Sequence, residues 1–166
     1  MNVDLHCHST YSDGSLSPTD LIKLAISNGA TIFSITDHDT VSAYRDLPSE
    51  IGLSLFPGVE FSATWCNMDV HLVGLNIDPY SNMTISFCNE QAKRRLKRAE
   101  KIAQRLFAKK LIGSIDTALA GVEKIANGGT IGRPHFAKYL VEIGACIDTG
   151  AAFKSYLSAG KIGDIK

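Results

Sequence analysis

The sequence lacks the features that mark several classes of protein. It has no run of about 18 apolar residues, the length that a membrane-spanning helix needs, and its N-terminus lacks the basic-then-apolar layout of a signal peptide. Its four cysteines, Cys7, Cys66, Cys88 and Cys146, are widely spaced and form no Cys-x-x-Cys pair, which argues against a disulfide framework or a zinc knuckle. We therefore expect a soluble, cytoplasmic protein with reduced thiols, without membrane contact and without an obligate protein partner.

The net charge is zero, but the two halves of the sequence carry charges of opposite sign. Residues 1–78 contain two basic and ten acidic side chains and four of the five histidines, whereas residues 79–166 contain fifteen basic and seven acidic side chains. A cluster of carboxylates and imidazoles attracts cations, and a cluster of Lys and Arg attracts anions such as phosphates. An enzyme that brings metal ions to a phosphate needs both.

Strand and helix patterns alternate along residues 1–78. The segment from Val3 to His8 alternates in polarity as a strand does, so that His6 and His8 lie on one face. Further strands are predicted at 31–36, 53–56, 59–64 and 70–77, the last two as a hairpin, and a helix is predicted between Ser17 and Asn28. With 166 residues, 45% of them apolar, the chain is long enough to bury a core. The pattern predicts an α/β domain with its ligands at the C-terminal ends of strands.

After Asp78-Pro79 the pattern changes to helix. A long helix is predicted over residues 84–110, with nine Lys or Arg among residues 90–110. Its apolar positions at helical spacing are Ala92, Leu96, Ala99, Ala103 and Leu106. Shorter helices are predicted near 115–127, 134–143 and 149–158. We therefore divide the chain into a metal-binding part, 1–78, and a basic helical subdomain, 79–166.

Six candidate metal ligands lie at or just after the predicted strands. They are His6, His8, Asp13, His38, Glu60 and His71. A mixed set of nitrogen and oxygen ligands suits manganese, zinc or iron, and six ligands are too many for one tetrahedral zinc, so more than one metal ion is expected. Asp37 and Asp39 flank His38; they either orient the ligands from behind or bond to their own turn.

A candidate phosphate site lies at the start of a later helix. Arg133 and His135 flank Pro134, where free N–H groups and the positive end of the helix dipole favour an anion. We predict that this pair binds substrate phosphate, the alternative being a surface arginine and a helix-capping histidine. The residues of the long helix with a weaker claim to substrate are Lys93, Arg94, Arg98 and Arg105. Their alternative role is a solvated basic face.

These motifs resemble those of the PHP (polymerase and histidinol phosphatase) phosphoesterase family. The resemblance is carried by His6-Cys7-His8-Ser9 with Asp13-Gly14, Ile35-Thr36-Asp37-His38-Asp39, Pro57-Gly58-Val59-Glu60 and His71-Leu72-Val73-Gly74. Within the family, the helical insertion followed by Ile131-Gly132-Arg133-Pro134-His135 most resembles the nucleoside 3′,5′-bisphosphate phosphatases, also described as 5′-to-3′ exoribonucleases of short RNAs. The resemblance runs from Met1 to about Gly163.

The resemblance implies a fold, a cofactor and a reaction. The fold is the N-terminal part of a distorted (β/α)7 TIM-like barrel with a helical insertion. The cofactor is a centre of up to three divalent metal ions, usually Mn²⁺, with Zn²⁺, Fe²⁺ and Mg²⁺ as alternatives. The six candidates match its ligands, with Glu60 as the bridging one. The reaction is hydrolysis of nucleoside 3′,5′-bisphosphates or short RNA 5′ ends by a metal-activated water, without a protein nucleophile.

The resemblance also implies ligands that the sequence does not contain. The family pattern continues beyond the insertion with a His-Pro motif and a terminal Asp-x-His, which supply three more ligands, whereas this chain stops at Lys166. We therefore expect a C-terminally truncated form of the family pattern. Two alternatives stay open: an inactive truncated protein that binds metal or nucleic acid, and another phosphatase of this family, such as histidinol phosphatase.

Overall fold

The computed structural model describes residues 2–48, 50–66 and 68–165, and it has the mixed helix and strand content that the sequence predicts. In chain order the elements are β1 (Val3–Cys7), α1 (Pro18–Ser27), β2 (Ile32–Ile35), a 3-10 helix (Ser42–Arg45), β3 (Ser54–Leu55), β4 (Gly58–Trp65), β5 (Met68–Leu75), α2 (Asn82–Ala108), α3 (Ile115–Ala126), α4 (Arg133–Glu142) and α5 (Thr149–Ala152), which continues as a π-helical turn (Phe153–Leu157). No described helix is long and apolar enough to cross a membrane.

The chain forms two compact units, Met1–Ala92 and Lys93–Lys166. The division falls within α2, so one helix contributes residues to both units. The change in composition near residue 79 comes just before this helix. A domain boundary at that point stays a prediction.

The first unit contains a parallel sheet in the order β1-β2-β3. Val3 pairs with Ile32 and Cys7 with Ile35, while Ile32 also pairs with Ser54 of β3. Parallel neighbours need a crossover connection, which α1 supplies between β1 and β2. Because the three strands run in the same direction, the segments that follow β1 and β2 meet at one edge of the sheet. Those segments begin with His8 and with Thr36, which is followed by Asp37.

Helix α1 begins and ends where its sequence predicts. The Ser17 hydroxyl accepts a hydrogen bond from the Asp20 N–H at 3.2 Å, Pro18 occupies the first turn, and Gly29 follows the helix with φ +78°. The buried residues of α1 are Pro18 and Ile22. The core of the first unit is formed by Ile22, Phe33, Ile35, Val41, Ala43, Tyr44, Val59 and Cys88.

Strands β4 and β5 form the expected antiparallel hairpin. Its register pairs Glu60 with Val73 and Ser62 with His71. An isolated parallel bridge joins His38 to Glu60: the Asp39 N–H donates to the Glu60 carbonyl at 3.0 Å, and the Glu60 N–H donates to the Asp37 carbonyl at 3.2 Å. This bridge sets the start of β4 beside the segment that follows β2.

The second unit has an apolar core built by its helices. The core residues are Ala99, Ile102, Ala103, Leu106, Ile112, Ala118, Val122, Phe136, Ala137, Tyr139, Leu140, Ala152, Leu157 and Ile165.

The apolar face predicted for α2 is correct only in the C-terminal half of the helix. Ala92 and Leu96 are exposed, and Leu96 keeps 51% of its surface accessible. Gln91 is buried instead, and Arg95 and Arg98 are partly buried. The prediction was wrong at Ala92 and Leu96 because polar side chains, rather than apolar ones, occupy the inward positions beside them.

Candidate metal centre

His6 and His8 come from the end of β1. The alternation of a strand places both imidazoles on one side, and their Nε2 atoms lie 3.3 Å apart. His6 is about half exposed, whereas His8 has 21% of its side-chain surface accessible. The two nitrogens therefore converge on one point at the edge of the sheet.

Asp13 reaches the same place because the loop after β1 closes tightly. The N–H groups of Ser12 and Gly14 both donate to the Ser9 carbonyl, at 3.1 and 3.0 Å. A Cβ atom at Gly14 would lie 2.1 Å from the carbonyl oxygen of His8, so this position requires glycine. The loop sets the Asp13 carboxylate 3.3 Å from the Nδ1 atom of His8.

Glu60 lies at the centre of the cluster, with 6% of its side-chain surface exposed. Its Oε2 atom lies 2.9 Å from the Nε2 atoms of both His6 and His8, and 3.5 Å from the Nδ1 atom of His38. Its Oε1 atom lies 2.6 Å from the Nδ1 atom of His71. The two carboxylate oxygens thus face different imidazoles.

The structure brings all six candidate ligands together in three overlapping groups. The groups are His6–His8–Glu60, His8–Asp13–His38 and His38–Glu60–His71, each with one ligand atom per residue within 4.8 Å of the others. Four imidazoles and two carboxylates, contributed by three strands and two loops, form one continuous cluster. That these residues bind metal stays a prediction.

The charges within this cluster stabilise one another. Burial by itself would raise the pKa of Asp13, but the hydrogen bond to His8 and the nearby His38 lower it to about 2. Burial would lower the pKa of His8, and the hydrogen bond and charge of Asp13, with Glu60, raise it instead. Burial likewise opposes the lowered pKa of Glu60, which His6, His38 and His71 produce. Two carboxylates are therefore held ionised among imidazoles.

Asp37 is fully buried and bonds to the loop that carries Asp13. Its Oδ1 atom accepts from the Ser9 N–H at 2.7 Å and from the Ser12 hydroxyl at 2.6 Å, and its Oδ2 atom accepts from the Ser9 hydroxyl at 2.5 Å. Burial raises the pKa of Asp37 despite these bonds. The Ser12 hydroxyl also lies 3.3 Å from the Nδ1 atom of His8. Ser9 and Ser12 were not identified from the sequence, where they read as ordinary loop serines.

Asp39 is also buried, and its backbone is left-handed, with φ +56°. Its Oδ1 atom accepts from the Ser62 N–H at 2.7 Å and from the Gln91 side chain at 3.2 Å. Gln91 was missed in the sequence. The signal that could have identified it is its place in the predicted helix, directly before the apolar position Ala92.

The basic residues of the second unit do not all face the same way. Lys93 and Arg94 are exposed. Arg95, Arg98 and Arg133, here called the arginine cluster, line one small cavity at the start of α4. Arg95 was not selected from the sequence. Arg105 instead donates to the carbonyl oxygens of residues 162 and 164, at 3.1 and 3.3 Å.

Arg133 and His135 occupy the first turn of α4 in different ways. Arg133 donates to the Leu157 carbonyl at 3.3 Å, and its Nη1 atom lies 3.7 Å from the Asp164 carboxylate. His135 is 3% exposed, and its Nδ1 atom accepts from the Gly132 N–H at 3.0 Å. His135 therefore caps its own helix through Nδ1, which leaves Nε2 to carry the ring proton when the imidazole is neutral.

The sequence also matches a known protein family. A family profile described as "PHP domain" matches residues 4–142. The chain belongs to the PHP domain family. The resemblance seen in the sequence motifs is thereby confirmed.

Two curated relatives of this PHP domain protein carry functional names. It is 42% identical over 165 residues to the 5′-3′ exoribonuclease Rnm of Escherichia coli, an alignment that covers 96% of this chain and 55% of that protein. It is 35% identical over 165 residues to the 3′,5′-nucleoside bisphosphate phosphatase of Chromobacterium violaceum, covering 98% of this chain and 57% of that protein. The chain thus spans little more than half the length of these relatives.

Two solved structures have the same fold. One is an amidohydrolase from Chromobacterium violaceum with bound sulfate and no metal, at a TM-score of 0.86 and 34% identity, which covers all of this chain and 58% of that one. The other is a protein from Bifidobacterium adolescentis described as a metal-dependent phosphoesterase, at a TM-score of 0.85 and 31% identity, with the same coverage. These matches confirm the predicted fold, the N-terminal part of a PHP barrel with a helical insertion.

Proposed function

We propose that this chain is a metal-dependent phosphoesterase that hydrolyses phosphate esters of nucleotides, such as nucleoside 3′,5′-bisphosphates or the 5′ ends of short RNAs. The observation that carries the proposal is the three overlapping groups formed by six candidate ligands. Both relatives described above are named for reactions on nucleotide or RNA phosphates, which supports the substrate class.

The chemistry of the cluster fits divalent metal ions. It offers nitrogen and oxygen ligands together, a set that suits manganese, zinc or iron better than calcium. Glu60 directs its two oxygens at different imidazoles, the arrangement that a bridging carboxylate needs. We propose Mn²⁺ as the ion. When bound, such ions supply a water of lowered pKa and a Lewis acid for the phosphate.

The protein's own residues would do three things for this chemistry. Asp13 and Glu60, both held ionised, offset the charge of the bound cations. His8 and His38 are mostly buried and keep the inner side of the cluster closed to solvent. His6 and His71 are about half exposed and leave its outer side open, so that side is where a phosphate would enter.

The arginine cluster is our candidate phosphate-binding site within the second unit. Arg98 and Arg133 line a common cavity at the N-terminus of the ten-residue helix α4, where the helix dipole also favours an anion. Arg133 already contacts Asp164, so a phosphate would compete with that carboxylate for the guanidinium group. His135 would act indirectly, by fixing the first turn of the helix. Lys93 and Arg94 stay weaker candidates.

The test is phosphate release by the purified chain. After removal of metal with a chelator and addition of Mn²⁺, the protein should release phosphate from a nucleoside 3′,5′-bisphosphate. The rate of His38→Ala should be at least about a hundredfold lower. Loss of a residue that only supports a metal ligand costs about 10–100-fold, and loss of a ligand should cost more. Lys154→Ala, at an exposed lysine, is the matched control. Mn²⁺ binding without hydrolysis of any phosphate ester would refute the proposal.

A second candidate function is binding without turnover. It is favoured by the exposed Lys93, Arg94, Lys97 and Lys101, which give α2 a basic surface suited to RNA phosphates. RNA binding that weakens steeply with salt, together with no hydrolysis, would support it.

We also propose a cytoplasmic location. The four cysteines are free thiols, as the reducing cytoplasm favours.

A further inference from the structure

Gln91 is a buried polar residue that the proposed reaction does not use directly. It lies on the part of α2 that belongs to the first unit and is 5% exposed. Its side-chain amide donates to the Ser62 carbonyl at 2.6 Å and to the Asp39 carboxylate at 3.2 Å. A buried amide is tolerated only when it is hydrogen-bonded, and both bonds go to segments that carry candidate metal ligands.

The partners of Gln91 are already joined to each other. The Ser62 N–H donates to the same Asp39 oxygen that Gln91 contacts, at 2.7 Å. Asp39 adopts a left-handed backbone, in which Asn, Asp and His are enriched among residues other than glycine, and its N–H donates to the Glu60 carbonyl. Gln91 thus closes a ring of hydrogen bonds between α2, strand β4 and the segment after β2.

Each of the three ligands in one group is attached to this ring by the backbone. His38 directly precedes Asp39, Glu60 lies two residues before Ser62, and His71 pairs with Ser62 across the hairpin. His6, His8 and Asp13 come from β1 and the loop after it, which the two hydrogen bonds of Gln91 do not reach. The ring therefore acts on the group His38–Glu60–His71 more than on the other two.

We propose that Gln91 is a positioning residue that holds His38, Glu60 and His71 at the spacing a metal ion requires. The inference deepens the proposed metal centre and depends on it. Residues that hydrogen-bond to metal ligands fix the orientation of those ligands. Mutation of such a residue typically lowers metal affinity about 10–100-fold. Gln91 would fix the orientation of the ligands through the backbone of β4 and of Asp39. It lies on α2, a helix that follows all the candidate ligands in the sequence.

The test is a double-mutant cycle read by Mn²⁺ affinity on the full chain. Gln91→Met keeps the length of the side chain and removes both hydrogen bonds, and His71→Ala removes one ligand of the group. We expect Gln91→Met to weaken the most affected Mn²⁺ site about tenfold in the otherwise unchanged protein. In the His71→Ala background it should change Mn²⁺ affinity by less than about twofold, because that group is already broken.

Gln104→Met is the matched control, since Gln104 lies on the same helix and is exposed. Circular dichroism and thermal melting confirm that each variant is folded at the temperature of the titration. An equal loss of Mn²⁺ affinity in both backgrounds would show a general structural role and overturn the inference, as would unchanged affinity in Gln91→Met. If the unmodified protein binds no Mn²⁺ at all, the metal centre itself is refuted, which is a different result.

Discussion

Glu60→Gln is a change that separates the three groups of candidate ligands from one another. Glu60 belongs to two of them, His6–His8–Glu60 and His38–Glu60–His71, and is absent from His8–Asp13–His38. Glutamine has nearly the shape of glutamate, so it fits the same buried space without the charge. The substitution should therefore impair two groups and leave the third.

The magnitude follows from the position of Glu60 within the cluster. It is 4% exposed, and its oxygens lie 2.9 Å or less from the nitrogens of His6, His8 and His71. Loss of a residue behind a ligand costs 10–100-fold in metal affinity, so loss of a ligand charge should cost at least about 100-fold. That factor corresponds to about 2.7 kcal/mol of binding free energy.

The assay is calorimetric titration of the metal-free protein with Mn²⁺ at pH 8. We expect the highest-affinity binding to weaken by at least about 100-fold in Glu60→Gln, while one weaker site, assigned to His8–Asp13–His38, changes by less than about threefold. Glu123→Gln, at an exposed glutamate of α3, is the control. Unchanged affinity in a folded Glu60→Gln protein would refute the central role of Glu60, and loss of all binding would refute the independence of the third group.

Three further predictions concern stability. Phe136 is fully buried in the second unit, so Phe136→Ala should lower the free energy of unfolding by about 3–5 kcal/mol, measured by urea denaturation. Ser17→Ala should cost about 1 kcal/mol in the same assay, because the Asp20 N–H loses its cap. In a chelator, the ionised Asp13, whose pKa is lowered from 3.8 to about 2, stabilises the folded state above pH 3.8. That contribution should disappear as the pH falls toward 2, and acid melts of Asp13→Asn should lack it.

The main elements of the fold could be predicted from local signals. Ser17, Pro18 and Gly29 mark the ends of α1 by known cap chemistry, and β4 and β5 form the predicted hairpin. The ends of several elements differ by one or two residues from prediction; β3, for example, is only Ser54–Leu55. Short strands depend on partners distant in sequence, which local patterns do not reveal.

The six candidate ligands could be selected because each lies at a strand end or beside one. Strand alternation placed His6 and His8 on one face, and the hairpin brought His71 near Glu60. The sequence pattern did not predict how the ligands divide into three groups. In particular, it did not predict that both carboxylate oxygens of Glu60 contact imidazoles. That depends on the bridge between Glu60 and His38, which joins segments 22 residues apart in sequence.

The supporting residues were missed for a related reason. Ser9 bonds to Asp37 across 28 residues of sequence, and Gln91 bonds to Asp39 across 52. Neither pairing leaves a local signature, because serine is common in loops and glutamine is common in helices. The prediction of an apolar stripe through Ala92 and Leu96 failed at the same place, since Gln91 occupies the inward position.

That failure has a physical meaning for the centre. A buried polar side chain that breaks the apolar stripe of a helix costs free energy unless its hydrogen bonds are made, so it persists where those bonds have a use. Asp37 and Asp39 follow the same logic: both are 1% exposed, both flank His38, and each bonds to a segment carrying other candidate ligands. Asp37 fixes His38 to the Asp13 loop, and Asp39 with Gln91 fixes it to β4. His38, which belongs to two of the three ligand groups, is therefore held from both sides by carboxylates that lie outside those groups.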